Sequence, residues 1–196
     1  MSKKIGFMSL PKNAHNTIQH AFGISRPDMF GADSDVPLIK DWLLGPGKHQ
    51  WLKDAGRLQK YDFLFSSIRH PLTRFVASFY ECQRAYKYTN DINQFTNDLL
   101  NESLTLKQLW HSVPQTSNLI VDELNFVIRI ENIAADAERM SKMLGTSSRF
   151  TGHLQTINKG TYNRSALVNS ISADNKKKIE EYFYDDFVKL NYRPEW

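Results

Sequence analysis

The sequence predicts an α/β fold with a mainly parallel sheet, and two observations support this prediction. Three short apolar runs, residues 4–9, 61–68 and 125–130, have the length and composition of buried strands. A stretch with helical periodicity follows each of them along the chain. Strands that alternate with helices in this way form parallel sheets.

The first strand, residues 4–9, runs into Leu10 and Pro11. A helical pattern follows from Thr17 to Phe22. Residues 23–50 are rich in Gly, Pro and Asp, which predicts a long irregular connection with at most one short helix.

The second strand is a continuous apolar and aromatic run, as expected when both faces of a sheet are covered. Pro71 then marks the start of a helix, because the first helical position does not need a backbone N–H. Apolar residues recur at helical spacing over the next four turns, at Phe75, Phe79, Cys82 and Tyr86. Residues 91–112 are predicted to be helical with polar interruptions.

The third strand, residues 125–130, leads into a helix that we expect Asn132 to cap and Gly145 to end. The buried stripe of this helix is predicted to contain Ile133, Ala137, Met140 and Leu144. Residues 146–170 have the composition of a loop. A last helix is predicted from Ser172, with three inward residues at Ile179, Phe183 and Phe187.

Length and composition favour one globular domain over residues 1–196, with 41% apolar and 23% charged residues. No window approaches the roughly 18 apolar residues that a membrane span requires. Cys82 is the single cysteine, so an internal disulfide is excluded and the cytoplasm is the expected compartment. The net charge of +4 favours anionic partners, although a merely mildly basic surface is an equally good interpretation.

The end of the first strand has the composition of an anion site. In parallel sheets, ligands bind beyond the carboxyl ends of the strands. The residues PKNAHNT follow this strand and precede a helix, whose start offers unpaired N–H groups. Lys12 adds a full charge, and Asn16 and Thr17 add side-chain donors. The absence of glycine excludes a GxxxxGK[ST] loop; a solvated surface lysine is the competing interpretation.

The end of the second strand offers another cation, Arg69, whose guanidinium matches phosphate oxygens. Arg74 and Ser78 lie four residues apart on one face of the helix that follows. For Arg74 we favour a structural ion pair with a carboxylate.

These two segments together resemble a known family. A strand ending in PKxxxxT, followed by a strand ending in RHPLTRFVASFY, resembles the two nucleotide-binding elements of sulfotransferases that use 3′-phosphoadenosine 5′-phosphosulfate (PAPS), particularly the carbohydrate-type and bacterial ones. The segments FVIRIENIAADAERMSKMLG and YFYDDFVKLNY resemble later parts of the same family. The resemblance implies a three-layer sandwich with a central parallel sheet, the P-loop NTPase-like sulfotransferase fold.

The resemblance also assigns roles to residues. The first element, with Lys12, Asn13, Asn16 and Thr17, would bind the 5′-phosphosulfate, and Arg69 would bind the 3′-phosphate. The family usually has a serine eight residues after the arginine; here Ala77 occupies that position and Ser78 is the candidate. The stretch from His153 to Asn158 resembles the late loop over the nucleotide, which makes Asn158 a further candidate.

The implied reaction transfers a sulfuryl group from PAPS to a hydroxyl acceptor, such as a glycan, lipid or small molecule. Lys12 would stabilise charge on the leaving phosphate, and a histidine would take the acceptor's proton. His49 occupies the position expected from the resemblance, and His15 is its rival because it lies near Lys12. No metal is expected, since no cluster of His, Cys and Asp has convincing ligand spacing.

Two other function classes remain open from the sequence. A kinase-like nucleotide enzyme of the same architecture would use Glu131 as its acidic residue, but the missing glycines count against it. A non-enzymatic module that binds nucleic acid or another anionic polymer would need basic residues grouped on one face. The basic residues here are dispersed among acidic ones.

Overall fold

The computed structural model describes residues 4–14, 17–18, 38–39, 56, 58–59, 61–145 and 162–196. The strands of the described residues are β1 (Ile5–Met8), β2 (Leu38–Ile39), β3 (Phe63–Ile68) and β4 (Phe126–Arg129). The α-helices of the same residues are α1 (Pro71–Tyr86), α2 (Ile92–Leu100), α3 (Leu106–Ser112), α4 (Ile133–Leu144), α5 (Arg164–Ser170), α6 (Ala173–Tyr182) and α7 (Tyr184–Lys189). None of these helices is long and apolar enough to cross a bilayer.

The strands form one sheet in the order β2-β1-β3-β4, and every neighbouring pair is parallel. Phe7 of β1 pairs with Phe65 of β3, and Ser66 of β3 pairs with Val127 of β4. The prediction of a mixed α/β fold with a parallel sheet is confirmed. The sequence predicted no strand within the irregular connection over residues 23–50, but β2 lies there and pairs with β1.

The chain divides into two compact units, each assembled from two separate segments. Unit 1 contains Met1–Arg69 and Asn118–Lys159, and unit 2 contains His70–Ser117 and Gly160–Trp196. The sheet and α4 belong to unit 1. Helices α1–α3 and α5–α7 belong to unit 2. Neither unit is a continuous stretch of sequence, and a single domain over residues 1–196 stays a prediction.

The core of unit 1 is formed by aromatic side chains of the sheet and apolar side chains of α4. The rings of Phe7 and Phe65 stack with their centroids 4.9 Å apart. Ile18, Ile128 and Met140 are fully buried in the same cluster. The predicted stripe of α4 therefore faces the sheet, and Gly145 ends this helix in the left-handed conformation, as expected (φ 68°).

The start of α4 differs from the prediction in one respect. Asn132 occupies the N-cap position, but its side chain makes no capping hydrogen bond. Asp136, buried in the first turn, accepts a hydrogen bond from the backbone N–H of Arg129 at 2.7 Å and pairs with Arg139. A carboxylate in the first turn of the helix thus ties α4 to the end of β4.

The core of unit 2 centres on the inward face of α1. Pro71 is the first residue of this helix, as predicted, and Phe75, Phe79 and Cys82 are buried on its inner face. Phe95 of α2 packs against both phenylalanine rings, at centroid distances of 5.7 and 5.3 Å. Ile179 of α6, Phe187 of α7 and Phe183, which lies between these helices, complete the cluster.

Two predictions for the C-terminal part of unit 2 were wrong. The predicted loop 146–170 contains α5, which begins where the Asn163 side chain accepts a hydrogen bond from the backbone of Ala166. The last helix starts at its Ser172 cap, as expected, but it breaks at Phe183 into α6 and α7. Asp186 of α7 is held by Gln115 and Thr116, and this tertiary anchor fixes the direction of the shorter helix.

Candidate functional site

The loop after β1 is attached to the end of β3 by two reciprocal hydrogen bonds. The Asn13 side-chain amide donates to the backbone carbonyl of Ser67 at 2.8 Å. The Ser67 hydroxyl donates to the backbone carbonyl of Asn13 at 2.7 Å. Both side chains are fully buried. The carboxyl ends of two neighbouring parallel strands are therefore joined at the edge where ligands bind in α/β sheets.

The backbone of this loop is strained. Lys12 and Ala14 have φ values of 64° and 51°, in the left-handed region that costs non-glycine residues about 1–2 kcal/mol each. Asn13, between them, has a negative φ, so the sign of φ alternates along the loop. Alternation of this kind is typical of backbone nests, which turn successive N–H groups toward one anion. Strain of this kind concentrates at functional sites.

Residues 17 and 18, shortly after the strained residues, are helical. The backbone N–H of Ile18 donates to the carbonyl of Ala14 at 3.0 Å. Thr17 lies in this turn and is almost fully buried. The predicted order around Lys12, a strand followed by a loop and then a helix, is therefore observed as far as the described residues extend.

Arg69 lies beside the Lys12 loop, because it directly follows β3. Its Nη1 atom donates to the backbone carbonyl of Lys12 over a long distance of 3.5 Å. Both residues are half-buried. The structure therefore brings the Arg69 guanidinium to the backbone of Lys12, in the loop that also contains Asn13 and leads to Thr17.

Ser78 points into the interior of unit 2. Its side chain is fully buried, and its hydroxyl lies within hydrogen-bonding distance of the backbone carbonyls of Arg74 and His111. A phosphate would have to compete with these acceptors for the hydroxyl proton. Ser78 as a phosphate ligand stays a prediction, and this geometry counts against it.

Arg74 is a buried structural cation. Its Nη1 donates to the carbonyl of Val113 at 2.6 Å, and the side chain is only 1% exposed. Burial raises the pKa of the neighbouring Tyr182 phenol, and the Arg74 charge opposes that shift. This buried contact is structural, and the carboxylate partner that the sequence predicted for Arg74 stays a prediction.

Four predicted site residues lie outside the described residues: His15, Asn16, His49 and Asn158. Within the described ranges, no group of three or more His, Cys, Asp or Glu side chains could hold a metal ion.

Sequence reasoning missed Ser67 as a residue of the candidate site. It treated residues 61–68 only as an apolar run, but the run ends with the polar pair Ser66 and Ser67. Ser66 donates to the carbonyl of Met8 in β1 at 2.6 Å, and Ser67 binds Asn13. Two hydroxyl side chains at the carboxyl end of a buried strand could have indicated Ser67. Buried polar groups require hydrogen-bond partners, so these hydroxyls predict contacts with a neighbouring segment.

Comparison with known proteins identifies the family of the chain. A model described as the sulfotransferase family matches residues 46–193, which is well over half of the sequence. The match includes β3, Arg69 and all of unit 2 except its last three residues, and it begins after β1 and the Lys12 loop. No curated protein matches the chain. Because the family model covers so much of the sequence, the chain belongs to the sulfotransferase family.

Proposed function

We propose that this chain transfers a sulfuryl group from PAPS to a hydroxyl-bearing acceptor and releases adenosine 3′,5′-bisphosphate. The observation that carries the proposal is the attachment of the Lys12 loop to the end of β3. The Asn13–Ser67 pair joins this loop to the end of β3, and the Arg69 guanidinium contacts the loop at the backbone carbonyl of Lys12. Family membership supports a transferase of this kind.

The Lys12 loop is suited to the 5′-phosphosulfate of the donor. The alternating φ signs at residues 12–14 favour a concave set of N–H groups, and a helical turn begins at residue 17. Lys12 adds a mobile charge to this surface, and Asn16 and Thr17 are proposed as side-chain donors. Asn13 acts in this proposal by holding the loop in place, because its amide is already bound to Ser67.

Arg69 is suited to the 3′-phosphate. Its guanidinium presents a planar set of donors that matches phosphate oxygens, and its position beside Lys12 allows one nucleotide to reach both cations. Asn158 is a further proposed ligand of the nucleotide, as the family resemblance implies.

In the proposed reaction the acceptor oxygen attacks sulfur and forms a new S–O bond. The bond from sulfur to the bridging phosphate oxygen breaks, and the 5′-phosphate of the bisphosphate takes the electron pair. Lys12 stabilises the negative charge that develops on this oxygen. As in phosphoryl transfer, the protein acts mainly by positioning and electrostatics.

The acceptor's proton passes to a histidine, for which His49 is the first candidate and His15 the second. We expect His49→Asn to remove the acidic limb of the rate profile, because the neutral imidazole is the base that loses its activity as pH falls. Profiles of kcat/KM against pH for His49→Asn and His15→Asn measure this. If the acidic limb of the kcat/KM profile is unchanged in both variants, neither histidine is the base, and this part of the proposal is contradicted.

The proposal includes the three-layer P-loop NTPase-like arrangement that the resemblance implies, with a carbohydrate among the candidate acceptors. It also includes the single domain and the cytoplasmic location that length and cysteine content favour.

A thermal-shift measurement tests the donor class. We expect adenosine 3′,5′-bisphosphate to raise the melting temperature without added metal, because a ligand that binds only the folded state stabilises it, by about 2.7 kcal/mol at a hundredfold excess over Kd. ATP with magnesium and a short oligonucleotide are the comparison ligands.

Each ligand represents one function class. Stabilisation by ATP with magnesium but not by the bisphosphate would favour a kinase-like enzyme. Stabilisation by the oligonucleotide alone would favour a polymer-binding module. Either result contradicts the proposed function.

A further inference from the structure

Ser67 of β3 holds one peptide group of the Lys12 loop. Its buried hydroxyl donates to the backbone carbonyl of Asn13 at 2.7 Å. That carbonyl belongs to the peptide group that joins Asn13 to Ala14, and this peptide bond is trans. In a planar trans peptide the C=O and the N–H point in opposite directions. The Ser67 hydroxyl therefore directs the backbone N–H of Ala14 away from Ser67.

The reciprocal hydrogen bond restrains a different part of the loop. The Asn13 amide donates to the Ser67 carbonyl at 2.8 Å, so it fixes the Asn13 side chain on the end of β3. A rotation of the peptide group between Asn13 and Ala14 moves the backbone carbonyl and need not move that side chain. The Ser67 hydroxyl, in contrast, contacts the carbonyl itself. The orientation of this peptide group therefore depends on Ser67.

Backbone strain makes such a restraint necessary. Lys12 and Ala14 have φ values of 64° and 51°, in the left-handed region that is unfavourable for residues other than glycine. A strained conformation persists only where the surrounding contacts over-determine it. Loss of the Ser67 hydroxyl should therefore allow the peptide group to rotate and Ala14 to relax toward a negative φ.

The direction of the Ala14 N–H matters to an anion bound at this loop. The alternating signs of φ at residues 12–14 are typical of backbones that turn successive N–H groups toward one anion. Hydrogen bonds from an N–H to a charged oxygen are about twice as strong as those between neutral groups. A rotated peptide group would present its carbonyl oxygen in place of the N–H, and this oxygen repels a phosphate.

We propose that Ser67 is a positioning residue for the 5′-phosphosulfate, because its hydroxyl sets the peptide orientation that turns the Ala14 N–H toward the anion. The inference rests on the proposed function, since it takes the Lys12 loop as the binding site of that group. Ser67 acts through the loop and itself touches neither donor nor acceptor. All of the residues involved belong to unit 1.

Calorimetric titration with the two adenosine monophosphates tests the positioning role. The 5′-monophosphate probes the Lys12 loop, and the 3′-monophosphate probes Arg69. We expect Ser67→Ala to lower affinity for the 5′-monophosphate about tenfold, equivalent to about 1.4 kcal/mol. Affinity for the 3′-monophosphate should be unchanged, because Ile68, the residue before Arg69, stays paired with Arg129 in the sheet.

Ser66 supplies a matched control in the same strand. Its hydroxyl is equally buried and donates to the carbonyl of Met8 at 2.6 Å, in β1 rather than in the loop. Ser66→Ala should lower the free energy of unfolding about as much as Ser67→Ala does, but it should bind both monophosphates as the wild type does. Ser67→Cys keeps a weak donor, so it should recover part of the affinity and keeps the test open if Ser67→Ala fails to fold.

The amide signal of Ala14 in nuclear magnetic resonance spectra reports the peptide orientation directly. In the isotope-labelled wild type, adenosine 5′-monophosphate should shift the Ala14 amide proton downfield, because a hydrogen bond to a phosphate oxygen deshields it. The shift should be lost in Ser67→Ala at matched saturation and retained in Ser66→Ala. An Ala14 signal that does not respond in the wild type, although the nucleotide binds, would overturn the proposal.

The outcomes separate this inference from the proposed function. If Lys12→Ala weakens binding of the 5′-monophosphate and Ser67→Ala does not, the positioning role is overturned and the proposed function stands. If Ser67→Ala weakens both monophosphates equally, or if Ser66→Ala weakens the 5′-monophosphate as much, the role of Ser67 is merely structural and the inference is also overturned. If the wild type binds neither the monophosphates nor the bisphosphate, both proposals fall.

Discussion

Lys12→Ala is expected to lower kcat for sulfuryl transfer by about 10²–10³-fold, the usual effect of losing a group that stabilises charge on the leaving oxygen. The ammonium has its full effect only as the S–O bond breaks, so kcat should fall more than KM rises. Steady-state kinetics with PAPS and a competent acceptor measure the effect.

A matched pair of variants separates charge from backbone strain. Lys12→Gly removes the same charge and relieves the left-handed strain (φ 64°), so it should be as inactive as Lys12→Ala but more stable by about 1 kcal/mol. Lys4→Ala removes an exposed lysine just before β1, at the opposite end of the same strand, and should retain full activity. Wild-type kcat in Lys12→Ala would refute the role of this residue.

Asp186→Ala is expected to lower the free energy of unfolding by about 3–5 kcal/mol. Asp186 is fully buried and accepts from the backbone N–H groups of Gln115 and Thr116, each at 2.8 Å, and from the Thr116 hydroxyl at 2.8 Å. Removal of the carboxylate leaves these donors without their acceptor in the interior, and each such loss is costly. Urea denaturation measures the change.

Asp185 supplies the matched control in the same helical turn. Its carboxylate is exposed and pairs with Lys189 at 2.9 Å, so Asp185→Ala should change the free energy of unfolding by less than about 0.5 kcal/mol. Equal effects of the two substitutions would mean that the buried network around Asp186 does not stabilise unit 2 as described.

The elements predicted best from the sequence have strong local signals. β3 is a continuous apolar run, α1 begins at Pro71, and α4 ends at Gly145 in a left-handed cap. In each case composition, periodicity and a terminal residue indicate the same structure. The parallel sheet follows from the order of these elements.

The elements that the sequence did not predict depend on distant partners. β2 has only two residues, and its pairing with Phe7 and Met8 defines it as a strand. The break at Phe183 accompanies the anchoring of Asp186 to residues 115 and 116, which are about seventy positions away along the chain. Neither contact leaves a periodic signal in the local sequence.

In the candidate site as well, the sequence predicted the local features but not the long-range contacts. The sequence placed Lys12 and Arg69 after separate strands, and the parallel arrangement of β1 and β3 brings them together. It could not show that Asn13 and Ser67 join the two strand ends, because that contact spans 54 positions. The sequence also could not show that the Ser78 hydroxyl lies beside two backbone carbonyls. Which side of α1 is buried depends on how the helix packs in unit 2.

The central claim is that the Lys12 loop and Arg69 bind opposite ends of one adenosine nucleotide. Calorimetric titration of the wild type, Lys12→Ala and Arg69→Ala with adenosine 3′,5′-bisphosphate and each of its two monophosphates tests this claim most directly. We expect Lys12→Ala to lose affinity for the 5′-monophosphate alone, Arg69→Ala to lose affinity for the 3′-monophosphate alone, and both to bind the bisphosphate about tenfold or more weakly. Bisphosphate binding that is unchanged in both variants would contradict the account.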